Sequence, residues 1–122
     1  MSWLRATPDL LEVARAALRE NVLPRVAPEG RYDAAMLANA LGIAARELAQ
    51  GAAAREAERA DLGALLGDPA ASLDELRVRL CREIRSGSLP PAAEPRLRAV
   101  LLAAVRRRLA ISNPDHLARH DL

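Results

Sequence analysis

The spacing of apolar residues along the chain predicts helices throughout. In five segments, apolar residues recur every three to four positions, which places their side chains on one face of an α-helix. No segment alternates strictly between apolar and polar residues, as a half-buried strand would. We therefore predict an all-α fold, a compact bundle of about five helices forming one domain over residues 1–122. The predicted helices lie near 8–22, 31–50, 52–66, 73–86 and 95–111.

Residues that start and stop helices support these bounds. Thr7 precedes a proline and an aspartate, a combination typical of a helix start. Ser72 and Glu75 have the spacing of a capping box, in which each side chain bonds a backbone amide of the other residue. Gly51 and Gly67 are expected to end the second and third helices.

Two charged residues interrupt apolar helix faces. Glu47 projects from the apolar arc of the second helix, and Arg108 interrupts the apolar face of the fifth. A buried charge that loses its partner destabilises a protein by about 3–5 kcal/mol, so we predict a Glu47–Arg108 ion pair between these helices. Two alternatives stay open: Arg108 reaches water near its helix end, or Glu47 pairs with Arg77 or Arg82. The arc consists of Leu37, Ala40, Leu41, Ala44 and Leu48, with Met36 and Ile43 at its edge.

A mostly polar stripe runs beside that arc. Asn39, Ile43, Arg46 and Gln50 follow one line of the second helix. Such a stripe can be solvated, can hydrogen-bond a neighbouring connection, or can contact a partner protein, and the sequence leaves these three possibilities open.

Charge and composition exclude several classes of function. All 18 basic residues are arginine, so chemistry that needs a lysine Schiff base is excluded. The net charge is only +2, and acidic residues are interspersed with the arginines, unlike the one-sided field of a nucleic-acid-binding protein. The single cysteine, Cys81, favours a reducing compartment and is expected to fill the core. With no signal peptide or membrane-length apolar segment, we expect a cytoplasmic protein without a membrane partner.

Candidate chemistry is sparse. Three consecutive arginines, 106–108, fan around a helix and do not form one phosphate-binding patch. His116 and His120 lie four residues apart, but the sequence offers no third metal ligand beside them. We therefore predict no catalytic residue, no cofactor and no metal site, and we expect that the chain is not an enzyme by itself.

Three stretches together resemble the DUF6285 family of small bacterial proteins. They are RYDAAMLANALGIAARELAQG, LRVRLCREIRSG and LRAVLLAAVRRRLAISNPDHL, in that order and at that spacing. The resemblance implies a small companion subunit of a two-component kinase, whose large subunit is similar to aminoglycoside phosphotransferases and phosphorylates a 4-hydroxyacyl-CoA. It also implies that ATP, magnesium and the catalytic aspartate belong to that partner.

On this view the chain would contribute an interaction surface on the exposed side of the second helix. The partner-interface candidates are Arg31, Tyr32, Asn39, Arg46, Asn113 and Pro114. Other functions stay open. The chain could be a homo-oligomeric helical interaction domain, because an alanine-rich face can dock on its own copy. A nucleic-acid-binding helical domain and a stand-alone enzyme are less favoured by the charge pattern and the missing catalytic groups.

Overall fold

The all-α fold is confirmed by a computed structural model, which describes residues 2–121 and the side chains of residues 9–121. In that part of the chain there are five α-helices and no strand. The helices are α1 (Ser2–Ala17), α2 (Arg31–Leu66), α3 (Leu73–Ser86), α4 (Glu94–Ser112) and α5 (Pro114–Arg119).

The longest helix, α2, runs without a break for 36 residues. The predicted helix end at Gly51 is therefore wrong. A glycine inside a helix costs only roughly 1 kcal/mol relative to alanine, and the segment that follows Gly51 is rich in alanine, glutamate and arginine, which favour a helix. These neighbours keep their backbone hydrogen bonds and carry α2 through to Leu66.

The first helix begins at Ser2, so the predicted start at Thr7 is also wrong. Leu4 lies seven residues before Leu11, which extends the helical spacing upstream of the predicted start. After Ala17 the backbone widens into a π-helical turn, and two short 3-10 turns, Leu23–Arg25 and Pro28–Gly30, then lead into α2.

The ends of α2 and α3 follow the predicted signals. Glu75 donates its backbone N–H to the Ser72 hydroxyl oxygen over 3.2 Å, and Ser72 donates its own N–H to the Glu75 carboxylate, which confirms the capping box. α3 ends at Gly87, whose φ of +69° is readily adopted only by glycine. Gly67, which directly follows α2, has the same left-handed conformation with φ of +70°.

The chain divides into two compact units. Unit 1 contains residues 1–51 and Ile111–Asn113, and unit 2 contains residues 52–110 and 114–122. Two of the three boundaries fall inside a helix, because α2 passes from unit 1 to unit 2 after Gly51 and α4 passes from unit 2 to unit 1 at Ile111. The single domain predicted for residues 1–122 therefore stays a prediction.

Unit 2 has a leucine core. Four buried leucines from α2 and α3 pack together, namely Leu62, Leu66, Leu76 and Leu80. Leu97 and Val100 of α4 pack against them and are half-buried. Part of the apolar side of α3 and of α4 therefore supplies this core, whereas Ile84, Leu101 and Val105 are exposed. Cys81 is exposed, however, so its predicted role as a core filler is wrong, because its side chain leaves α3 to one side of the Leu76–Leu80 line.

Unit 1 has a core of small side chains. Ala34, Ala38, Gly42 and Ala45 of α2 are buried and lie on one side of the helix, spaced by three or four residues. Ile111 is also buried in this unit. Small residues let neighbouring backbones approach closely, so this side of α2 is covered while the larger side chains lie elsewhere on its surface.

Across the described residues, no helix combines the length and the apolar content that crossing a bilayer requires.

Candidate partner-binding site

Most of the apolar arc predicted for the core is instead exposed on α2, and only Leu41 and Ile43 of that arc are half-buried. Leu37 and Leu48 keep 60% and 58% of their surface accessible, and Met36 is exposed as well. We call Met36, Leu37, Ala40, Ala44 and Leu48 the open face of α2. The prediction that this face is buried is wrong, because the opposite, small-residue side of the helix packs in unit 1. Contiguous exposed apolar surface of this kind is typical of interaction sites.

Glu47 lies within the open face and is exposed. The burial penalty that motivated its pairing with Arg108 therefore does not apply, since a carboxylate on an exposed helix face retains its contact with water. Arg108 belongs to unit 2 and is exposed too. The Glu47–Arg108 ion pair stays a prediction, but the reason given for it is wrong.

Three of the predicted interface residues form a stripe at the edge of the open face. Tyr32, Asn39 and Arg46 are spaced by seven residues, which is close to two helical turns. Tyr32 is 74% exposed, Asn39 is exposed, and Arg46 is half-buried. An exposed aromatic ring and a guanidinium beside apolar surface are the residue types most often found at the energetic centre of protein interfaces.

The other predicted interface residues have separate locations. Arg31 opens α2 and donates its Nε–H to the carbonyl oxygen of Val26 over 3.2 Å, which ties the preceding loop to the helix. Asn113, between α4 and α5, is exposed. It belongs to unit 1, like the candidates on α2. Pro114 is the first residue of α5 and belongs to unit 2.

Arg46 joins two distant parts of the sequence. Its Nε–H donates to the carbonyl oxygen of Ile111 over 2.6 Å, within unit 1. Ile111 is in the last turn of α4, where carbonyl groups have no partner inside the helix. Of the three possibilities left open for the polar stripe, hydrogen bonding to a neighbouring segment is the one observed for Arg46.

A glycine makes room for this arginine. A methyl group added at Gly42 would lie 3.0 Å from Cδ of Arg15 and 3.2 Å from Nη1 of Arg46. The side chains of Arg15, from α1, and Arg46 therefore both approach the bare backbone of α2 at Gly42. Sequence inspection did not identify Gly42 or Arg15, although Gly42 continues the spacing of Ala34 and Ala38.

Glu12 supplies a negative charge beside the two arginines, and we call Glu12, Arg15 and Arg46 the cluster at Gly42. Arg15 donates its Nε–H to the Glu12 carboxylate over 2.9 Å, and a second, terminal N–H bonds the same group. These hydrogen bonds hold the pKa of the Glu12 carboxyl below its ordinary value of 4.5, and the positive charges of Arg15 and Arg46 act in the same direction. The cluster thus contains two guanidinium groups and one carboxylate.

Two arginines of unit 2 form ion pairs that join separate helices. Arg77 of α3 forms a two-pronged ion pair with Glu58 of α2, with an Nε to Oε1 distance of 3.1 Å. This pairing raises the pKa of Arg77 above its already high ordinary value. Arg107 of α4 pairs with Asp61 of α2 over 2.9 Å. The sequence analysis identified neither pair, because contacts between separate helices leave no signal in local spacing.

A groove of about 380 Å³ lies in unit 2 between α2 and the start of α3. Arginines line it, which would suit an anion, but those with described contacts are already engaged. Arg59 bonds the Glu56 carboxylate and the carbonyl of Pro69, and Arg77 bonds Glu58. The groove therefore offers an anion fewer arginine N–H donors than the number of its arginines suggests.

The two histidines of the C-terminal segment stack on each other. Their ring centroids are 4.2 Å apart and the ring planes are tilted by 39°. Within the residues that the structure describes, no group of three histidine, cysteine, aspartate or glutamate side chains could hold a metal ion.

Comparison with known proteins identifies one family. The model of a family described as "Domain of unknown function (DUF6285)" matches residues 24–116. The match contains α2, α3, α4 and the start of α5, whereas α1 with Glu12 and Arg15 precedes it. No curated protein and no solved structure matches the chain.

Proposed function

Because the chain belongs to the DUF6285 family, we propose that it is a non-catalytic accessory subunit that binds and supports a kinase. The resemblance that identified the family supplies the class of partner: an aminoglycoside-phosphotransferase-like subunit that phosphorylates a 4-hydroxyacyl-CoA in bacterial acyl-CoA catabolism. In this proposal the nucleotide, the magnesium ion and the catalytic groups belong to the partner, and this chain supplies a docking surface.

The observation that carries the proposal is the open face of α2. Its large side chains, together with Tyr32 at its edge, are exposed in the isolated chain. Covering a large apolar side chain is worth about 1.5–3 kcal/mol. Association itself costs about 4–15 kcal/mol. Covering several such side chains at once is therefore enough to offset much of the cost of forming a complex, and polar contacts must supply the rest.

A co-purification experiment tests this proposal. The chain is co-expressed with a phosphotransferase-like protein of the class that the resemblance implies. One subunit carries an affinity tag, and ATP consumption is measured with and without this chain. We expect a stable complex whose kinase activity falls when the chain is omitted. If the phosphotransferase-like protein neither retains the chain nor loses activity without it, the proposal is wrong.

A pair of matched variants locates the surface. Leu48 on the open face and Val78 on α3 of unit 2 are each 58% exposed, so replacing either by aspartate places a charge at an equally accessible position. We expect Leu48→Asp to abolish co-purification and Val78→Asp to leave it intact. The reverse result would assign the docking surface to unit 2.

The same face also supports the second candidate, a homo-oligomeric interaction domain, because exposed apolar side chains can pack against their own copy. Light scattering of the chain alone distinguishes the two candidates. A dimer mass that Leu48→Asp reduces to the monomer mass would favour the homo-oligomer. A monomer mass for both the unaltered chain and Leu48→Asp would leave the open face available to the kinase.

A further inference from the structure

We infer that α3 is the contact between two copies of this chain, which pack antiparallel through a line of four side chains. We call Asp74, Val78, Cys81 and Arg85 the seam of α3. The seam lies in unit 2, whereas the proposed function rests on the open face of α2 in unit 1, so the two can be tested independently.

The four seam residues form one exposed line along α3. They are spaced by four, three and four positions, which keeps their side chains on one side of an α-helix. Val78 is 58% exposed, and the other three residues are exposed as well. Leu76 and Leu80, which pack in the leucine core, lie on the opposite side of the helix. The seam is therefore the side of α3 that a partner can cover.

The order of charges makes the seam complementary to itself. Asp74 and Arg85 lie at equal distances on either side of the midpoint of the seam, which falls between residues 79 and 80. A two-fold axis through that midpoint places Asp74 of each copy opposite Arg85 of the other, which gives two identical ion pairs. Parallel packing would instead oppose like charges at both ends. The charge order therefore selects a second copy in the antiparallel orientation.

Both charges are available for this contact. In the part of the chain that the structure describes, the side chains of Asp74 and Arg85 form no hydrogen bond or salt bridge. By contrast, Arg77 on the same helix is engaged by Glu58. Pairing of Asp74 with Arg85 across two copies thus breaks no ion pair within either chain.

Val78 and Cys81 form the centre of the seam. They also lie at equal distances from the midpoint, so the same two-fold axis places Val78 of each copy against Cys81 of the other. A free cysteine behaves as a small hydrophobic residue. The contact therefore covers an exposed valine and also Cys81, which the core of unit 2 leaves exposed.

The interface formed by one pair of helices is small. α3 has 14 residues and is about 21 Å long. A standard interface buries roughly 800 Å² on each partner, which is more than one helix side of this length supplies. We therefore expect a dimer that forms at high protein concentration and dissociates on dilution.

Sedimentation equilibrium of the full chain over a range of concentrations tests the inference. We expect the mean mass to rise from the monomer value towards the dimer value. Asp74→Arg and Arg85→Asp each oppose like charges at both ends of the seam, so each should raise the dimer dissociation constant at least about 10-fold. The control is Arg96→Asp, which reverses an exposed arginine of α4 and is expected to change nothing.

A mixture of the two variants separates pairing from folding. When Asp74→Arg pairs with Arg85→Asp, opposite charges meet again at both ends of the seam. We expect the mixture to dimerise about as tightly as the unaltered chain, although neither variant does so alone. If the mixture stays monomeric, the antiparallel pairing is wrong.

The single cysteine of the chain gives a second readout. The reaction of Cys81 with a maleimide should slow as the protein concentration rises, because Val78 of the second copy covers the thiol. An unchanged rate in a solution that sediments as a dimer would overturn the inference, and so would a monomer mass at every concentration.

The open face of α2 is the competing contact. We expect Leu48→Asp to leave the dimer unchanged. A dimer that Leu48→Asp dissociates, and that both charge reversals leave intact, would assign the contact to the open face and overturn the seam. None of these measurements involves the phosphotransferase-like protein, so their outcome is distinct from that of the proposed function.

Discussion

Arg46 of α2 and Ile111 of α4 lie 65 positions apart in the sequence and are joined by a hydrogen bond of 2.6 Å from Nε to the backbone carbonyl oxygen. The bond satisfies a carbonyl group at the end of α4, and the guanidinium that makes it lies beside Gly42 of α2. Arg46 thereby joins α2 to the end of α4 within unit 1.

Replacing Arg46 by glutamine is therefore expected to destabilise the chain even without a partner. A hydrogen bond that involves a charged group contributes about 1.5–3 kcal/mol, and its loss leaves the Ile111 carbonyl without this donor. Urea unfolding followed by circular dichroism measures the change in free energy. Arg98→Gln serves as the control, since an exposed pair four residues apart is worth about 0.3–0.5 kcal/mol. Equal losses for the two variants would contradict the structural role of Arg46.

Two glycines of α2 are expected to respond differently to alanine. At Gly42, the added methyl group meets Cδ of Arg15 and the terminal nitrogens of Arg46, which belong to flexible side chains that can shift by a few tenths of an ångström. At Gly63, it lies 3.2 Å from the backbone oxygen of Asp68 and 3.2 Å from Cα of Pro69, which cannot move without displacing the turn after α2.

We expect Gly42→Ala to change the free energy of unfolding by less than about 1 kcal/mol, because the gain in helix propensity offsets the crowding. Gly63→Ala should destabilise by about 1–3 kcal/mol, the usual effect of overpacking. Thermal unfolding of both variants under the same conditions makes the comparison. A larger loss at Gly42 would show that the two arginines are held more rigidly than we argue.

Leucine-to-alanine substitutions at Leu76 and Leu48 compare the core of unit 2 with the open face. Leu76 is fully buried in the unit 2 core, and Leu76→Ala is expected to cost about 2–5 kcal/mol through lost burial and the cavity left behind. Leu48→Ala should cost less than about 0.5 kcal/mol, since an exposed substitution rarely exceeds that value. Chemical denaturation of dilute protein measures both. A large loss for Leu48→Ala would place this side chain in a core.

The pKa of Glu12 reports on the cluster at Gly42. Hydrogen bonds from Arg15 lower the pKa of this carboxyl from 4.5, so its ionised form is favoured in the folded chain. The stabilising effect is therefore present above the unfolded pKa and is lost as the pH falls through the lowered, folded pKa.

In Arg15→Gln, the pKa of Glu12 should rise towards its ordinary value, and in Arg46→Gln it should rise by a smaller amount. NMR titration of the Glu12 side-chain carbon between pH 2 and 7 measures both shifts. Glu56, whose pKa is lowered by Arg59 in unit 2, is the internal control and should not change in either variant. An unaltered Glu12 titration in Arg15→Gln would contradict the described pairing.

The sequence analysis was most accurate where a residue determines its own backbone. Ser72 and Glu75 cap α3 as predicted, because both partners of a capping box lie within one turn and need no tertiary contact. Gly67 has a left-handed backbone directly after α2, as its position indicated, and Gly87 has the same conformation directly after α3. Gly51 is also a glycine, but it lies inside α2, where the surrounding helix-forming residues outweigh its weak tendency to end a helix.

What the sequence determined by itself is the all-helical fold, since periodic apolar spacing and local caps act within a few residues. The tertiary structure decided which side of each helix is covered. Hydrophobicity alone favoured Leu37 and Leu48 for the core, yet the structure covers the side of α2 that carries Ala34, Ala38 and Gly42 instead. The partner of Arg46 was likewise beyond the sequence, because a hydrogen bond between α2 and α4 depends on how the chain returns upon itself in unit 1.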